Sequence, residues 1–266
     1  MKIFNNILLL FFLILYGCEN EEFLNAELPY NEVLVVQSVL LSGSIFPGVL
    51  ITKSLPLGVQ FSIEAAEVKE VLLYLRVNSI RIIPLHYTSD GLYKPLTDFI
   101  VMAGDTYEIF GERNSQSFYA KTIIPFIPEV LSMNYNYSEG FVSASVKTNS
   151  KEVYAALWII NLNTPLVAED FYNISIPDDI SSATSIYVRS SILPEEYRNP
   201  TYNNKRYIQV YSFDFAFSEY FKTKVNGQNI NNPYVQGSGF TTWNLQGKKT
   251  IGMFIGVAKS AILEVN

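Results

Sequence analysis

The sequence predicts an all-β chain, and three observations carry that expectation. From residue 32 onward, short runs rich in Val, Ile, Leu, Tyr and Phe alternate with turn residues. Helical periodicity is scarce over the same stretch. The chain holds 18 Tyr and 18 Phe among its 266 residues against 2 Trp, and Tyr and Phe suit a pleated, half-buried surface. The length allows one large or two medium cores, and 48% hydrophobic with 17% charged side chains is too apolar for a disordered chain.

The first strand is expected over residues 32–41, which are rich in Val and Leu, and the second over 48–53, where Val49 and Ile51 alternate inward. Residues 68–77 and 81–87 follow, then Asp90-Gly91, a pair that tolerates positive φ and favours a tight hairpin. Strands at 107–110 and 118–124 complete this half. Gly104-Asp105-Thr106-Tyr107 has the look of a tyrosine corner, in which a Tyr hydroxyl bonds back to the upstream backbone. About seven short strands in under a hundred residues is the spacing of a small sandwich, so residues 31–127 are expected to form an immunoglobulin-like β-sandwich.

Pro125-Phe126-Ile127-Pro128 is stiff and extended, and the expected domain boundary falls there. Residues 128–266 are expected to form a second β-rich domain with at most one short helix. Its strands are expected at 133–137, 141–146, 153–161, 185–189, 207–217, 241–245 and 250–259. Gly252 and Gly256 within the last of these suggest close backbone approach or a bulge. Residues 192–205 and 226–239 read as Asn- and Pro-rich loops. The helix is expected at 218–225, with Ser218 as N-cap and Glu219 in the first turn.

The N-terminus reads as an address. Lys2 precedes an apolar run over residues 7–16, the pattern of a secretory signal. The run is too short for the roughly 20 residues that span a bilayer as a helix. Leu15-Tyr16-Gly17-Cys18 resembles a bacterial lipobox, in which a small residue precedes a cysteine that is acylated before cleavage, although Tyr16 is bulky for its place. Cys18 is the chain's one cysteine. Residues 1–17 are therefore expected to be a lipoprotein signal peptide, with acyl chains on Cys18 anchoring the protein to the outer membrane. Residues 18–30, beginning Cys18-Glu19-Asn20-Glu21-Glu22, read as an acidic tether. Acidic residues next to the acylated cysteine resemble the surface-export signal of Bacteroidota lipoproteins.

The order of features resembles one group, the Bacteroidota lipoproteins named domain of unknown function 4249. The matching pieces are Cys18, the first strand Val33-Leu34-Val35-Val36, Glu64-Ala65-Ala66-Glu67-Val68, Gly91-Leu92-Tyr93 and Gly104-Asp105-Thr106-Tyr107-Glu108-Ile109. Phe118-Tyr119-Ala120-Lys121-Thr122-Ile123-Ile124-Pro125 matches the family's strand ending in proline. Asn232-Pro233-Tyr234, Asn244-Leu245 and Gly252-Met253-Phe254 are similar to its closing segments, which Gln246-Gly247-Lys248-Lys249 interrupts here. Residues 165–204 show no match. The resemblance implies a cell-surface lipoprotein, often found beside TonB-dependent outer-membrane receptors. It implies no known activity and supplies no catalytic residues.

Composition excludes several classes of chemistry. Nineteen basic against 25 acidic residues give a net charge of −6 and no broad basic field, so no nucleic-acid partner is expected. One cysteine and one histidine exclude a disulfide framework, a CxxC pair and any multi-histidine metal site within one chain. No phosphate loop or dinucleotide fingerprint is present, and no cofactor and no metal are expected. A catalytic triad could use only His86, which sits on an expected strand without a nucleophile elbow. Asp178-Asp179, Glu195-Glu196, Asp170 and Asp214 are the carboxylates that could run glycoside hydrolysis, and loop charge is their simpler reading. Pro177-Asp178-Asp179 and residues 226–232 supply oxygens for calcium without a ligand array of the usual spacing. Tyr197, Tyr202 and Tyr234 lie among Asn and Pro, and are the expected binding residues, since exposed Tyr stacks on sugars and grips protein partners. The leading expectation is a non-enzymatic accessory or binding module working with a TonB-dependent receptor in nutrient capture. A structural or adhesive surface protein and a carboxylate-based glycan hydrolase are the alternatives.

Overall fold

The computed structural model describes residues 30–148, 152–160, 166–167, 174–177, 185–198, 205–226 and 244–265. Cys18, Tyr202, Tyr234, Trp243, Asp170, Asp178, Asp179 and residues 227–232 lie outside the described residues. The strands in chain order are β1 (Leu34–Leu41), β2 (Val49–Lys53), β3 (Leu72–Val77), β4 (Arg81–Ser89), β5 (Leu92–Lys94), β6 (Thr106–Arg113), β7 (Gln116–Ile123) and β8 (Val130–Asn136). They continue with β9 (Phe141–Lys147), β10 (Glu152–Ile160), β11 (Leu166–Val167), β12 (Ser185–Arg189), β13 (Arg206–Asp214), β14 (Leu245–Gly247), β15 (Thr250–Lys259) and β16 (Leu263–Val265). The fold is mostly β, as expected.

Thirteen strands make one curled sheet in the order β11-β10-β13-β15-β1-β2-β5-β4-β3-β6-β7-β14, with β16 beside β13. The curl follows from connectivity. β14 stands at one end of this order and β15 lies well inside it, yet only Lys248 and Lys249 join them. The strands from β15 round to β14 therefore bend back on themselves. Their inward residues form one apolar cluster, with Leu34 and Val36, Ile51, Leu75, Ile109, Phe118 and Phe254 buried together. β12, β9 and β8 form a separate three-stranded sheet. It packs through Val142, Ala144 and Val146 onto Tyr154, Ala156, Trp158 and Ile160 of β10. The other face of β10 joins Val153 and Ala155 to Ile255 and Val257. Burial on both faces explains why β10 reads as a near-continuous apolar run.

Neither the apolar clusters nor the hydrogen-bonded sheet stops at Pro125–Pro128: Leu245 and Phe254 join the first cluster, Leu41 packs on the third, and the strand pairing runs across that point. β15 pairs in parallel with β1 from Leu34↔Thr250 to Leu41↔Val257, and antiparallel with β13 on its other side. Polar contacts reinforce the crossing. Thr122 Oγ1 accepts from the Gly256 N–H (2.8 Å) and donates to the Asp214 carboxylate (2.7 Å). Buried Glu152 accepts from the Phe126 N–H and from the Tyr154 hydroxyl.

The local turn chemistry matches the residues. Asp90-Gly91 joins β4 to β5 with φ of 54° and 78°, and Asn114-Ser115 joins β6 to β7 with φ of 48° and 64°, the two-residue turn that suits twisted strands. Tyr107 is fully buried and its hydroxyl accepts the Met102 N–H at 3.2 Å, so the expected tyrosine corner is present. Tyr93 is held similarly, donating to the Val68 carbonyl at 2.8 Å, and burial pushes its phenol up to about 12.

Three helical segments are present among the described residues, two of them in residues 128–266, where at most one was expected. α1 (Ile63–Ala66) is a single turn capped by Ser62, whose Oγ accepts from the Ala65 N–H. α2 (Glu195–Arg198) is another single turn within the expected loop. Four residues are too few to print a 3.6-residue period. α3 (Ala216–Asn226) is the expected helix, but it starts two residues early. Ser218 therefore lies inside the first turn with its hydroxyl buried, and Asp214 Oδ1 accepts from the Ala216 N–H (3.4 Å) in the role expected of Ser218. The strand expected at 207–217 correspondingly ends at Asp214.

Candidate functional site

The register of the curled sheet lines up one residue from each of five neighbouring strands. Pro84 of β4 faces Tyr74 of β3, Tyr74 faces Phe110 of β6, Phe110 faces Tyr119 of β7, and Tyr119 faces Gln246 of β14. Alternation puts all five outside the curl, because their neighbours Leu73, Leu75, Ile109, Phe118 and Ala120 point into the core. Three consecutive members are aromatic. The Phe110 and Tyr119 rings lie 5.0 Å apart at 48°. With Leu72 and Glu112 they line an open groove of about 580 Å³. Leu72 and Tyr74 are 63% and 43% exposed, so the groove presents apolar surface directly to water.

A polar row flanks the rings. Arg76, Glu108 and Lys121 are cross-strand neighbours one pleat away. Arg76 makes a bidentate pair with Glu108, at 2.8 and 3.0 Å, and its guanidinium lies 4.7 Å from the Phe110 centroid. The Tyr119 hydroxyl donates to the same carboxylate at 2.7 Å. Glu108 is only 4% exposed under these partners. The Arg76 guanidinium, then the Tyr119 hydroxyl, hold its carboxyl below the usual range against the opposing effect of burial. Burial and the adjacent carboxylate push the Tyr119 phenol up to about 12. One carboxylate thus fixes a cation over one ring and the tilt of the next.

This arrangement has a pH signature. Glu108 has a lower pKa folded than unfolded, so its stabilisation is present above the ordinary carboxylate range and is lost as pH falls through the folded value. Glu108→Gln is expected to lower the thermal midpoint by roughly 2–6 °C at neutral pH. The gap between the two proteins narrows as pH falls through the lowered value of the folded carboxyl, where the parent also takes up its proton. Thermal unfolding followed by circular dichroism at a series of pH values checks both statements.

The residues singled out from sequence fall elsewhere. Tyr197 is on α2, half-buried against the cluster around Trp158, and its carbonyl accepts from Arg206 Nε at 2.6 Å. Tyr202, Tyr234 and Cys18 lie outside the described residues. His86 is exposed on β4, in register with Lys94, and makes no side-chain hydrogen bond among the described residues. Glu195 and Glu196 are exposed at the start of α2. Asp214 is bound into the fold, accepting from Thr122 Oγ1 and the Ile123 N–H at 2.7 Å each as well as from Ala216. Trp158 is fully buried and donates to the Ser191 carbonyl. Among the described residues, no group of three or more His, Cys, Asp or Glu is placed to hold a metal ion, and no helix is long and apolar enough to cross a membrane.

The aromatic row was not among the residues picked from sequence. A signal for part of it was present. Once Asn114-Ser115 is taken as a two-residue turn, counting outward from it pairs Phe110 with Tyr119. The chain matches no protein-family model and no curated protein.

Proposed function

We propose that the protein is a lipid-anchored accessory module of the outer membrane, facing outward, that holds a neutral saccharide chain on its curled sheet for a TonB-dependent receptor. The anchor rests on Cys18 after its short apolar run, and the outward orientation on the acidic residues that follow it. The receptor partnership rests on the resemblance to the lipoprotein family. Residues 31–127 are read as an immunoglobulin-like unit, supported by the Tyr107 corner, and 128–266 as a second β-rich unit.

The observation that carries the binding role is the row Tyr74, Phe110, Tyr119 across adjacent strands. A pyranose ring has an apolar C–H face and hydroxyls at its rim. The aromatic row suits the face, and Glu112, Ser117, Lys121 and Gln246 along the same surface suit the rim. Arg76 and Glu108 neutralise one another, and Glu112 and Lys121 bear opposite charges. Of the residues that line the groove only Glu112 is charged, which favours a largely uncharged ligand over a strongly ionic one.

Soluble glucans, xylans and mannans are the probes, followed by affinity electrophoresis and titration calorimetry. At least one is expected to bind. Tyr74→Ala with Tyr119→Ala weakens it at least tenfold, since truncating an aromatic binding residue costs about 1 kcal/mol or more each. Tyr119→Phe, which keeps the ring and loses the bond to Glu108, retains most of the affinity. Binding that survives loss of both rings contradicts the assignment, as does failure of all three polysaccharide classes. Purification in mild detergent that repeatedly yields no receptor contradicts the partnership.

A further inference from the structure

The loop between β2 and α1 carries a concentration of exposed apolar side chains near the start of the first strand. Leu57 is 85% exposed, Phe61 69% and Val59 49%. They are presented by a built turn. The Val59 N–H donates to the Pro56 carbonyl at 3.2 Å, and Gly58 between them has φ of +84°, the third position of a turn that needs positive φ. Nothing lies within 4 Å of a Cβ placed on Gly58, so the turn stands clear of the rest of the fold.

Its position is fixed by the first strand pair. Leu34 is in register with Lys53, the Ser54 N–H donates to the Val33 carbonyl at 2.9 Å, and the Val33 N–H donates to Ser54 Oγ at 3.0 Å. The loop thus leaves the sheet directly beside the point where the chain runs back from Glu32 toward Cys18. The thirteen residues between Cys18 and Glu32 reach at most about 45 Å when fully extended. A chain held at Cys18 therefore keeps this end of the sheet within that distance of the bilayer, closer on average than the opposite end. Beside the loop, Lys53 pairs with Glu32, which also holds Arg113, and Lys69 pairs with Glu67.

We propose that residues 56–61 are a second membrane contact, inserting Leu57, Val59 and Phe61 into the lipid surface that holds the acylated Cys18. A lipid surface is the occupant that this geometry favours, because three large apolar side chains on a projecting turn match the shallow insertion of interfacial segments. The consequence is orientation. With this end down, the strands stand away from the membrane, and the protein is held by two contacts instead of swinging on a free tether. The inference rests on the lipid anchor proposed above.

The acylated protein itself provides the test, since its one native cysteine is blocked by lipid and leaves an introduced thiol unique. Nitroxide labels are attached through Leu57→Cys, Phe61→Cys and, as the reference at the opposite end of the sheet, Leu96→Cys, itself 87% exposed. Each protein is bound to vesicles of phosphatidylethanolamine with phosphatidylglycerol, and collisions with a water-soluble nickel chelate and with oxygen are measured. Labels at 57 and 61 are expected to be at least fivefold less accessible to nickel than the label at 96, and more accessible to oxygen. Equal nickel accessibility at all three positions on membrane-bound protein overturns the loop contact while leaving the anchor intact. Protein that never associates with the vesicles overturns both.

Discussion

Gly252→Val is expected to remove a large share of the protein's folding stability. Gly252 lies in β15 opposite Val36 of β1, with φ of +130°. A Cβ at this position would lie 1.9 Å from the Val36 carbonyl oxygen and 2.8 Å from its carbon. Both atoms are backbone in the parallel pair, so neither can rotate away. The backbone conformation and the overlap together cost roughly 3–6 kcal/mol, against the roughly 5–15 kcal/mol that stabilises a typical native chain. The loss strikes the pairing that brings the C-terminal strands into the curled sheet. Gly43→Ala is the control. Gly43 also has positive φ, at 76°, but has nothing within 4 Å of its Cβ position, so only the backbone cost of about 1–2 kcal/mol applies. Denaturant unfolding of Gly252→Ala and Gly43→Ala separates the two terms. Similar losses in both variants would mean that the close approach of β15 to β1 contributes nothing.

The sequence made local structure legible and long-range pairing not. The hairpin at Asp90-Gly91, the Tyr107 corner, the doubly buried β10 and the close approach at Gly252 are all decided by residues near one another in the chain or by one residue type with a single use. The pairing of β1 with β15 joins segments more than two hundred residues apart. Both are apolar runs of similar length, and nothing in either names the other. The curl depends on that pairing, so it was hidden too. The aromatic row shows the same division. The Phe110–Tyr119 step follows from a local turn, whereas Tyr74 reaches Phe110 only through the β3–β6 pairing, whose register no turn fixes. Tyr197 shows the converse. Its Asn- and Pro-rich surroundings read as an exposed loop, but a single helical turn folds the ring against the second apolar layer. α1 and α2 escaped notice because periodicity needs more than one turn to be visible.

Cys18→Ser is expected to have the largest effect on where the protein works. Two or three acyl chains, at about 0.8 kcal/mol per buried CH₂, hold a protein on a bilayer far longer than one weak contact does. The membrane contact proposed for residues 56–61 is too small to replace them. Serine at this position accepts no lipid, so the variant should leave the membrane fraction almost entirely. Folding should be unaffected, because Cys18 precedes the first strand by more than a dozen residues. An engineered tag at the C-terminus follows the distribution.

The anchored, outward-facing arrangement is the premise of everything proposed for the sheet and its groove, and protease treatment of intact cells tests it together with the anchor. Cells expressing the parent and the Cys18→Ser chain are treated with a protease that does not cross the outer membrane, then fractionated. The parent is expected in the membrane fraction and degraded on intact cells, while the variant is recovered outside that fraction. A parent that survives treatment, or a variant retained on membranes as strongly as the parent, would contradict the account.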